Sequence, residues 1–229
     1  MSHDTDFPAG FSGVVRLFPL PNLVLFPSVI QPLHIFEPRY RRMMADALAD
    51  DRLLAMALLR PGWEEDYHQS PPIYPIVCVG RVFQEERLPD GRYNLLLHGR
   101  ARAHVIEEIA GDRPYRSARV RLVEEVPAPA AAEPDLRRRL GEQMRRWFAG
   151  QSAALAQLRQ LLASTMPLGT LCDVIAFALP VAVELKQALL DEGSVERRVR
   201  RLLSHLGQAA PPPQPAPSER EFPPGFSPN

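Results

Sequence analysis

Residues 17–27 read LFPLPNLVLFP, and residues 32–40 read PLHIFEPRY. Together they contain two short apolar, β-prone segments that are interrupted by prolines. Because proline cannot donate a hydrogen bond to a sheet ladder, such strands are confined to edges, ends and bulges. The second segment leads into Glu37-Pro38, where we expect a helix to begin, since proline suits the first helical position. This stretch predicts a β-rich fold with an embedded helix.

Length and composition bound the class of protein. The chain has 229 residues, of which 45% are hydrophobic and 24% are charged, as is typical of a globular protein. This length suits one large domain or two small ones. The 27 basic and 27 acidic side chains give a formal net charge of zero. Nucleic-acid binders usually carry a basic surplus, so the charge makes nucleic acid an unlikely main partner.

The first half of the chain follows a β pattern. Strands are predicted at residues 29–36, 53–59, 76–83 and 118–126, and another begins at Tyr93 and continues through 105–109. Pro89-Asp90-Gly91 is a strong hairpin signal, and Gly99 is expected to mark a bend or bulge. Helical spacing of apolar residues predicts one helix over 37–49. Many short strands with one helix indicate a small closed or half-closed barrel over residues 14–126.

The second half follows a helical pattern. The sequence PAPAAAEP at residues 127–134 predicts a linker. Helices are predicted at residues 135–148, 152–163, 169–179, 181–190 and 194–206. The fold class is therefore α+β, with an N-terminal β pseudo-barrel followed by a C-terminal helical bundle over residues 135–207. Residues 1–13 are expected to be a flexible leader and residues 208–229 a disordered, proline-rich tail.

The last predicted helix has two distinct faces. Its apolar residues form one stripe: Val195, Val199, Leu202, Leu203 and Leu206. Its arginines form a basic edge, which we expect to be solvated: Arg197, Arg198, Arg200 and Arg201.

Several kinds of site are not indicated. Cys78 and Cys172 lie far apart with no ligand spacing around them, so buried reduced thiols are expected rather than a metal site. Residues 1–13 are short and polar, unlike a secretory signal. No run approaches the ~18 apolar residues of a membrane span. The sequence therefore predicts a cytoplasmic protein with no membrane partner, no metal and no cofactor.

Four motifs in the right order resemble the N-terminal substrate-binding domain of Lon-type ATP-dependent proteases. They are LPNLVLFP at residues 20–27, PLHIFEPRY at 32–40, GRAR at 99–102, and LKQALL at 185–190 followed by the helix that ends at Leu206. The resemblance covers roughly residues 14–207. It implies a PUA-like β subdomain followed by a helical bundle. The middle of the chain is more similar to free-standing Lon-domain proteins.

Two parts of a complete Lon protease are missing from this sequence. It contains no G-x-x-x-x-G-K-[ST] phosphate loop, and Lys186 in the LKQALL motif is its only lysine. Lon proteases cleave peptides with a Ser–Lys dyad, in which the lysine activates the serine nucleophile. The resemblance therefore implies a non-catalytic domain that binds unfolded or extended polypeptide segments. Such a domain could act as an adaptor to a separate ATP-dependent protease or as a regulator. The sequence leaves the oligomeric state open.

Aromatic residues are the first candidates for a binding surface. Trp63 and Tyr67 lie in a proline-flanked polar loop, where they could anchor an unfolded segment or fold back to cap the barrel. Phe36 and Tyr40, with two further phenylalanines, could line an apolar groove or belong to the core. The candidate substrate-binding residues are Trp63, Tyr67, Phe36, Tyr40 and Arg102.

Arg102 belongs to a polar stripe on the predicted strand that begins at Tyr93. His98, Arg100, Arg102 and His104 alternate with smaller or apolar residues and share one face if the strand is regular. Such a face could meet acidic peptide or RNA, or it could be an ordinary solvated surface. An RNA-binding PUA-like module is therefore the first alternative. An enzyme with a cleft between the subdomains is the second, although no nucleophile and base are legible.

Overall fold

The structure, a computed structural model, describes residues 11–65 and 70–208. The chain divides into two compact units, with the boundary between Val123 and Glu124. Residues 1–10 of the predicted leader and residues 209–229 of the predicted tail lie outside the described residues.

The first unit contains a six-stranded sheet and one helix. Its elements are β1 (Val14–Leu20), β2 (Ile30–Ile35), α1 (Pro38–Leu48), β3 (Leu53–Leu58), β4 (Ile76–Arg87), β5 (Tyr93–Ile109) and β6 (Ser117–Leu122). The strand order is β2-β5-β4-β3-β1-β6, and β6 also pairs with β5. Five strands therefore close into a barrel, and β2 is attached to the first half of β5. The predicted β pseudo-barrel with an embedded helix is confirmed.

The interior of the barrel is filled by small apolar side chains. A five-stranded barrel encloses less space than an eight-stranded one, so valine and alanine suit its interior. The buried cluster consists of Val15, Leu17, Leu53, Ala55, Ala57, Val77, Val79, Ala103, Ala118 and Val120.

Strand β5 organises this sheet because it is shared among three partners. It pairs with β4 along most of its 17 residues, and its other edge pairs first with β2 and then with β6. Gly99 lies opposite Gly80 and Ala101 lies opposite Val79, so Arg100 is an extra residue in β5. This is a β-bulge, which interrupts the ladder and increases the local twist. The predicted irregularity at Gly99 is confirmed.

Residues 23–26 form a loop, although their composition is β-prone. Prolines precede and follow this segment, and its buried side chains pack instead of extending a strand. The backbone N–H of Ser28 donates to the Gly99 carbonyl oxygen, and the N–H of Gly99 donates to the Val29 carbonyl oxygen, both at 2.8 Å. A Cβ atom at Gly99 would lie only 2.1 Å from the Phe26 carbonyl oxygen. The loop therefore requires a glycine at this point of β5.

Pro32 lies in β2, whose pairing among the described strands is with β5 alone. In an antiparallel pair, every second residue directs its backbone N–H and C=O toward the partner strand. The hydrogen bond from Gly99 to Val29 makes Val29 one of these residues, so the backbone groups of Ile30, Pro32 and His34 face away from β5. The missing N–H of Pro32 therefore breaks no ladder bond. This edge position is the one that the sequence predicts for a strand proline.

The second unit is a helical bundle, as predicted. Its helices are α2 (Glu133–Trp147), α3 (Ser152–Ala163), α4 (Leu168–Ala178), α5 (Val183–Leu190) and α6 (Val195–Gln208). Helix α2 begins inside the segment predicted as a linker, because Pro134 occupies one of its first helical positions. A short parallel bridge joins Val126 to Ser194, just before α6.

Helix α6 buries the predicted apolar stripe and one arginine with it. The prediction that Arg198 is solvated is wrong, since its side chain is fully buried. Its Nε lies 3.0 Å from Oδ1 of the buried Asp173, its Nη2 donates to the Glu125 carboxylate, and its Nη1 donates to the Glu192 carbonyl oxygen at 2.8 Å. Burial alone would lower the pKa of Arg198, but these carboxylates raise it above its ordinary value.

We expect the Gly99→Ala substitution to lower the free energy of unfolding by about 1–3 kcal/mol, the usual cost of overpacking. The added methyl group meets a backbone carbonyl that cannot rotate away. Urea denaturation followed by circular dichroism measures this change. The matched control is Gly111→Ala, since no atom lies within 4 Å of its added carbon. Similar urea midpoints for both variants would contradict the required close approach.

We expect Arg198→Met to destabilise the second unit by about 3–5 kcal/mol, because it leaves the Asp173 carboxylate buried without the guanidinium. The chain has two tryptophans, and Trp147 lies in α2, so its fluorescence in a Trp63→Phe background reports on this unit. Arg200→Met is the control, because Arg200 is exposed and its pair with Glu196 contributes about 0.5 kcal/mol or less. An equal effect of the two substitutions would show that the buried ion pair is unimportant.

Candidate functional site

The first unit carries a cleft of about 390 Å³, within the size range of ligand-binding pockets. It is lined by the end of β1, the start of α1 and the segment that connects β5 to β6. Its lining includes Pro19, Arg39, Tyr40, Ser70, Glu108, Ile109, Arg113, Pro114, Tyr115 and Arg116. No histidine, cysteine or lysine is found in its described lining.

The segment between β5 and β6 forms one wall of the cleft. Its sequence, AGDRPYR at residues 110–116, is rich in turn-forming residues. Tyr115 is buried, and its hydroxyl donates to Oδ2 of Asp46 on α1 at 2.7 Å. Nε of Arg42 lies 3.0 Å from the other carboxylate oxygen. This wall is therefore fastened to α1 by a charged hydrogen-bond network.

The network changes the acidity of its members. Burial alone would raise the pKa of Asp46, but the hydrogen bonds from Tyr115 and Arg42 hold it below its ordinary value. Burial raises the pKa of Tyr115, and the hydrogen bond to Asp46 raises it further. Near neutral pH the carboxylate is therefore ionised and the phenol is protonated, as this hydrogen bond requires.

A second ion-pair cluster lies at the end of α1. Arg16 on β1 is buried, and its guanidinium lies 2.6 Å from Oδ2 of Asp50 and 2.7 Å from Oδ1 of Asp51. The Oδ1 atom of Asp51 also accepts the backbone N–H of Leu53 at the start of β3. These contacts fix the turn that follows α1 to the two parallel strands β1 and β3.

Tyr40 lines the cleft but is largely buried. Its ring is tilted against Phe18, with 4.6 Å between the ring centroids. The guanidinium of Arg39 lies 4.6 Å from the centroid of the Tyr40 ring and forms an ion pair with Glu37 at 3.0 Å. Tyr40 therefore positions a cationic side chain at the cleft as well as lining it.

Phe36 lies next to Tyr40 and is 36% exposed. Its ring stacks on His34, with 6.2 Å between the centroids. Phe36 and Tyr40 line a common depression of about 10 Å³, which has room for no more than one water molecule. The structure thus brings these two predicted residues together, with Tyr40 shared between the depression and the cleft.

The other predicted residues are placed differently. Trp63 is half-buried in a turn, and Tyr67 lies outside the described residues. The described chain resumes at Ser70, which lines the cleft. Arg102 is only 4% exposed, lies opposite Cys78 on β4, and does not line the cleft.

The four polar residues of β5 do not form one face. His98 lies opposite Arg81 and Arg102 lies opposite Cys78, three residues away on β4, so their side chains leave opposite faces of the sheet. The bulge at Arg100 causes this change of phase. Burial and the charge of Arg100 lower the pKa of His98. The observation that motivated the RNA-binding alternative is therefore weakened.

The wall of the cleft was missed by sequence reasoning. Ile109, Arg113, Tyr115 and Arg116 are brought to α1 only by the closure of β5 on β6. The only local feature of the sequence that could have indicated this wall is the presence of one aromatic residue and two arginines in the turn-forming segment 110–116.

The charges of the cleft are unequally neutralised. The Nε of Arg116 donates to the Glu108 carboxylate at 2.7 Å, and its Nη1 donates to the Pro71 carbonyl oxygen at 2.8 Å. The guanidinium of Arg113 lies 5.9 Å from the centroid of the Tyr115 ring. Within the described part of the chain, no carboxylate forms an ion pair with Arg113.

Residues 11–65 and 70–208 show neither a metal-binding cluster nor a helix suited to span a membrane. They contain no group of three or more histidine, cysteine, aspartate or glutamate side chains placed to hold a metal ion. None of their helices combines the length and apolar character that a bilayer crossing needs.

The barrel followed by a helical bundle has the architecture of a Lon protease N-terminal domain. The crystal structure of a Lon N-terminal domain protein from Xanthomonas campestris matches with a TM-score of 0.60 at 21% identity, covering 83% of this chain and 97% of that one. The N-terminal domain of Mycobacterium avium complex Lon protease matches with a TM-score of 0.65 at 17% identity, covering 86% of this chain and all of that one. These matches show the fold.

The family is shown by the sequence itself. Residues 14–208 match the model of the ATP-dependent protease La (Lon) substrate-binding domain, and the chain belongs to this family. It is 28% identical over 199 residues to Lon protease 2 of Myxococcus xanthus and 28% identical over 196 residues to Lon protease 1 of Thermus thermophilus. These alignments cover 85% and 83% of this chain. The chain spans about a quarter of the length of these relatives.

The Tyr115→Phe substitution tests how the cleft wall is held. We expect it to lower the free energy of unfolding by about 1 kcal/mol at pH 7, the typical net value of a hydrogen bond. Because the folded-state pKa of Asp46 is lowered, its stabilising effect is present above about pH 4 and is lost as the pH falls through that folded-state pKa. The difference between variant and wild type should therefore shrink in acid.

Urea titrations at pH 7 and at about pH 2 measure this difference. Tyr74→Phe is the matched control, because Tyr74 has a ring contact with Arg60 and its hydroxyl makes no hydrogen bond within the described residues. A deficit that is the same at both pH values would contradict the role of the ionised Asp46.

Proposed function

We propose that this chain recognises unfolded or extended polypeptide segments through the cleft of its first unit and catalyses no reaction of its own. The observation that carries the proposal is the match of residues 14–208 to the Lon substrate-binding domain. The described lining supports it, because this lining offers arginines, tyrosines and apolar groups but no histidine, cysteine or lysine.

The chemistry of the cleft suits an extended chain. Arginine and tyrosine are enriched at protein interfaces, since each combines apolar area with hydrogen-bond donors. Ile109 and Pro19 provide apolar contact, and the arginines can donate to backbone carbonyl oxygens, which every polypeptide has. Such contacts depend little on the bound sequence. They fit weak binding of many different segments.

Addition of a strand to β2 is a less suitable mode. The backbone groups of Ile30, Pro32 and His34 face its open edge, and Pro32 has no N–H to offer there. The Pro32 carbonyl oxygen already accepts the side-chain amide of Gln31 at 2.6 Å. Proline at an edge strand is a common protection against pairing with another chain. We therefore assign recognition to side chains at the cleft.

We further propose that a separate ATP-dependent protease receives the bound segment. The relatives that the chain matches are Lon proteases, and this chain corresponds to about a quarter of their length. The sequence has no phosphate loop, and its single lysine lies in helix α5. Unfolding by ATP hydrolysis and peptide cleavage would then be supplied by the partner.

Binding of a permanently unfolded protein tests the proposal. We expect the full chain to raise the fluorescence anisotropy of a labelled, reduced and carboxymethylated protein and not that of its native form. Ile109→Ser should weaken binding about fivefold, equivalent to about 1 kcal/mol of lost apolar burial. Ile109 is 39% exposed and lines the cleft, whereas Ile106 on the same strand is 50% exposed and does not.

Ile106→Ser is therefore the matched control and should bind as the wild type does. Equal binding of the native and unfolded forms would overturn the proposed function. An equal loss in both isoleucine variants would place the site elsewhere. Binding of RNA instead, with an affinity that falls steeply with salt, would support the RNA-binding alternative.

A further inference from the structure

We infer that the cleft selects polypeptide segments that carry an acidic side chain next to an apolar one, with Arg113 as the residue that binds the carboxylate. This inference rests on the proposed function and specifies which segments the cleft prefers. It follows from the pairing of the three arginines that line the cleft.

Two of these arginines already have carboxylate partners. Arg116 donates to Glu108 and to the Pro71 carbonyl oxygen, which uses both edges of its guanidinium. Arg39 pairs with Glu37 and lies over the Tyr40 ring. A ligand carboxylate would have to displace these partners at Arg116, and at Arg39 it would compete with Glu37.

Arg113 differs from both. It is exposed, its guanidinium lies over the ring of Tyr115, and within the described residues it has no ion pair. Its charge contributes to the lowered pKa of Asp46, but that carboxylate is already bonded to Tyr115 and Arg42. Among the described lining residues, Arg113 is therefore the arginine that has no protein carboxylate on its guanidinium, and its hydrogen-bond donors are available to a ligand.

A carboxylate is the polypeptide group that this arrangement fits. Guanidinium and carboxylate form charge-assisted, often bidentate hydrogen bonds. The neighbouring wall supplies apolar surface at Ile109 and Pro114, so a residue adjacent to the acidic one can be buried there. The combination favours an acidic residue beside an apolar one over either alone.

The carboxylate is assigned to a side chain rather than to a chain terminus. Terminal carboxylates are commonly captured by nests of backbone N–H groups, which need a residue in the left-handed region. From Glu108 to Arg116 no residue has a positive φ, so this wall provides no nest. The donors at the cleft are side-chain guanidinium groups, as in the pair of Arg116 with Glu108.

Four labelled decapeptides test the inference on the full-length chain. Each has one aromatic residue beside either a single glutamate or a single glutamine, and each is made with a free and with an amidated C-terminus. We expect the wild type to bind the glutamate peptides about threefold to fivefold more tightly at low salt, whether or not the terminus is amidated. Arg113→Gln should remove this preference.

Arg121→Gln is the matched control and should keep the preference. Arg121 is also an exposed arginine of the first unit without an ion pair in the described part of the chain, but it does not line the cleft. A glutamate preference that survives Arg113→Gln would overturn the assignment. A preference for the peptides with a free C-terminus over the amidated ones, whichever side chain they carry, would also overturn the assignment.

The result also separates this inference from the proposed function. Equal binding of the glutamate and glutamine peptides by the wild type would remove the inference and leave polypeptide recognition intact. If the wild type binds neither the peptides nor the unfolded protein, both the inference and the proposed function are overturned.

Discussion

The first unit depends on the close approach of the Phe26 carbonyl oxygen to Gly99. It ties the loop before β2 to β5 at the point where β5 exchanges one partner for another. Without a side chain at Gly99, the loop can seat against the strand, and the bulge at Arg100 can turn the rest of β5 toward β6. The connection between β5 and β6 forms the wall of the cleft. A backbone constraint outside the cleft lining therefore helps to direct β5 toward that wall.

Polar interactions, rather than apolar packing alone, hold the cleft together. The phenol of Tyr115 and the carboxylate of Asp46 join the wall to α1, and Arg16 on β1 pairs with two further carboxylates in the turn that follows α1. Buried polar groups are costly unless they are paired, so these networks specify one arrangement of the elements. The second unit uses the same principle at Arg198 and Asp173.

The sequence was a good guide to the parts that local pattern controls. Alternation, turn residues and helical spacing predicted the barrel, α1 and the five later helices. The sequence also singled out Phe36 and Tyr40, but it left open whether they line a groove or belong to the core. The sequence was a poor guide where contacts between residues distant in the chain decide the burial or placement of a side chain. Arg198 is buried because Asp173 and Glu125 neutralise it, and a helical pattern contains no sign of these partners. The bulge at Arg100 places the side chains of His98 and Arg102 on opposite faces of the sheet. Arg113 reaches the cleft only because β5 and β6 close the barrel.

Hydrogen–deuterium exchange of the full chain, with and without a saturating unfolded polypeptide, tests the central claim most directly. Recognition at the cleft predicts slower exchange in the peptides that cover residues 37–48 and 108–117, with little change over residues 133–208. Protection confined to residues 133–208, or no protection at a concentration where binding is saturated, would contradict the account.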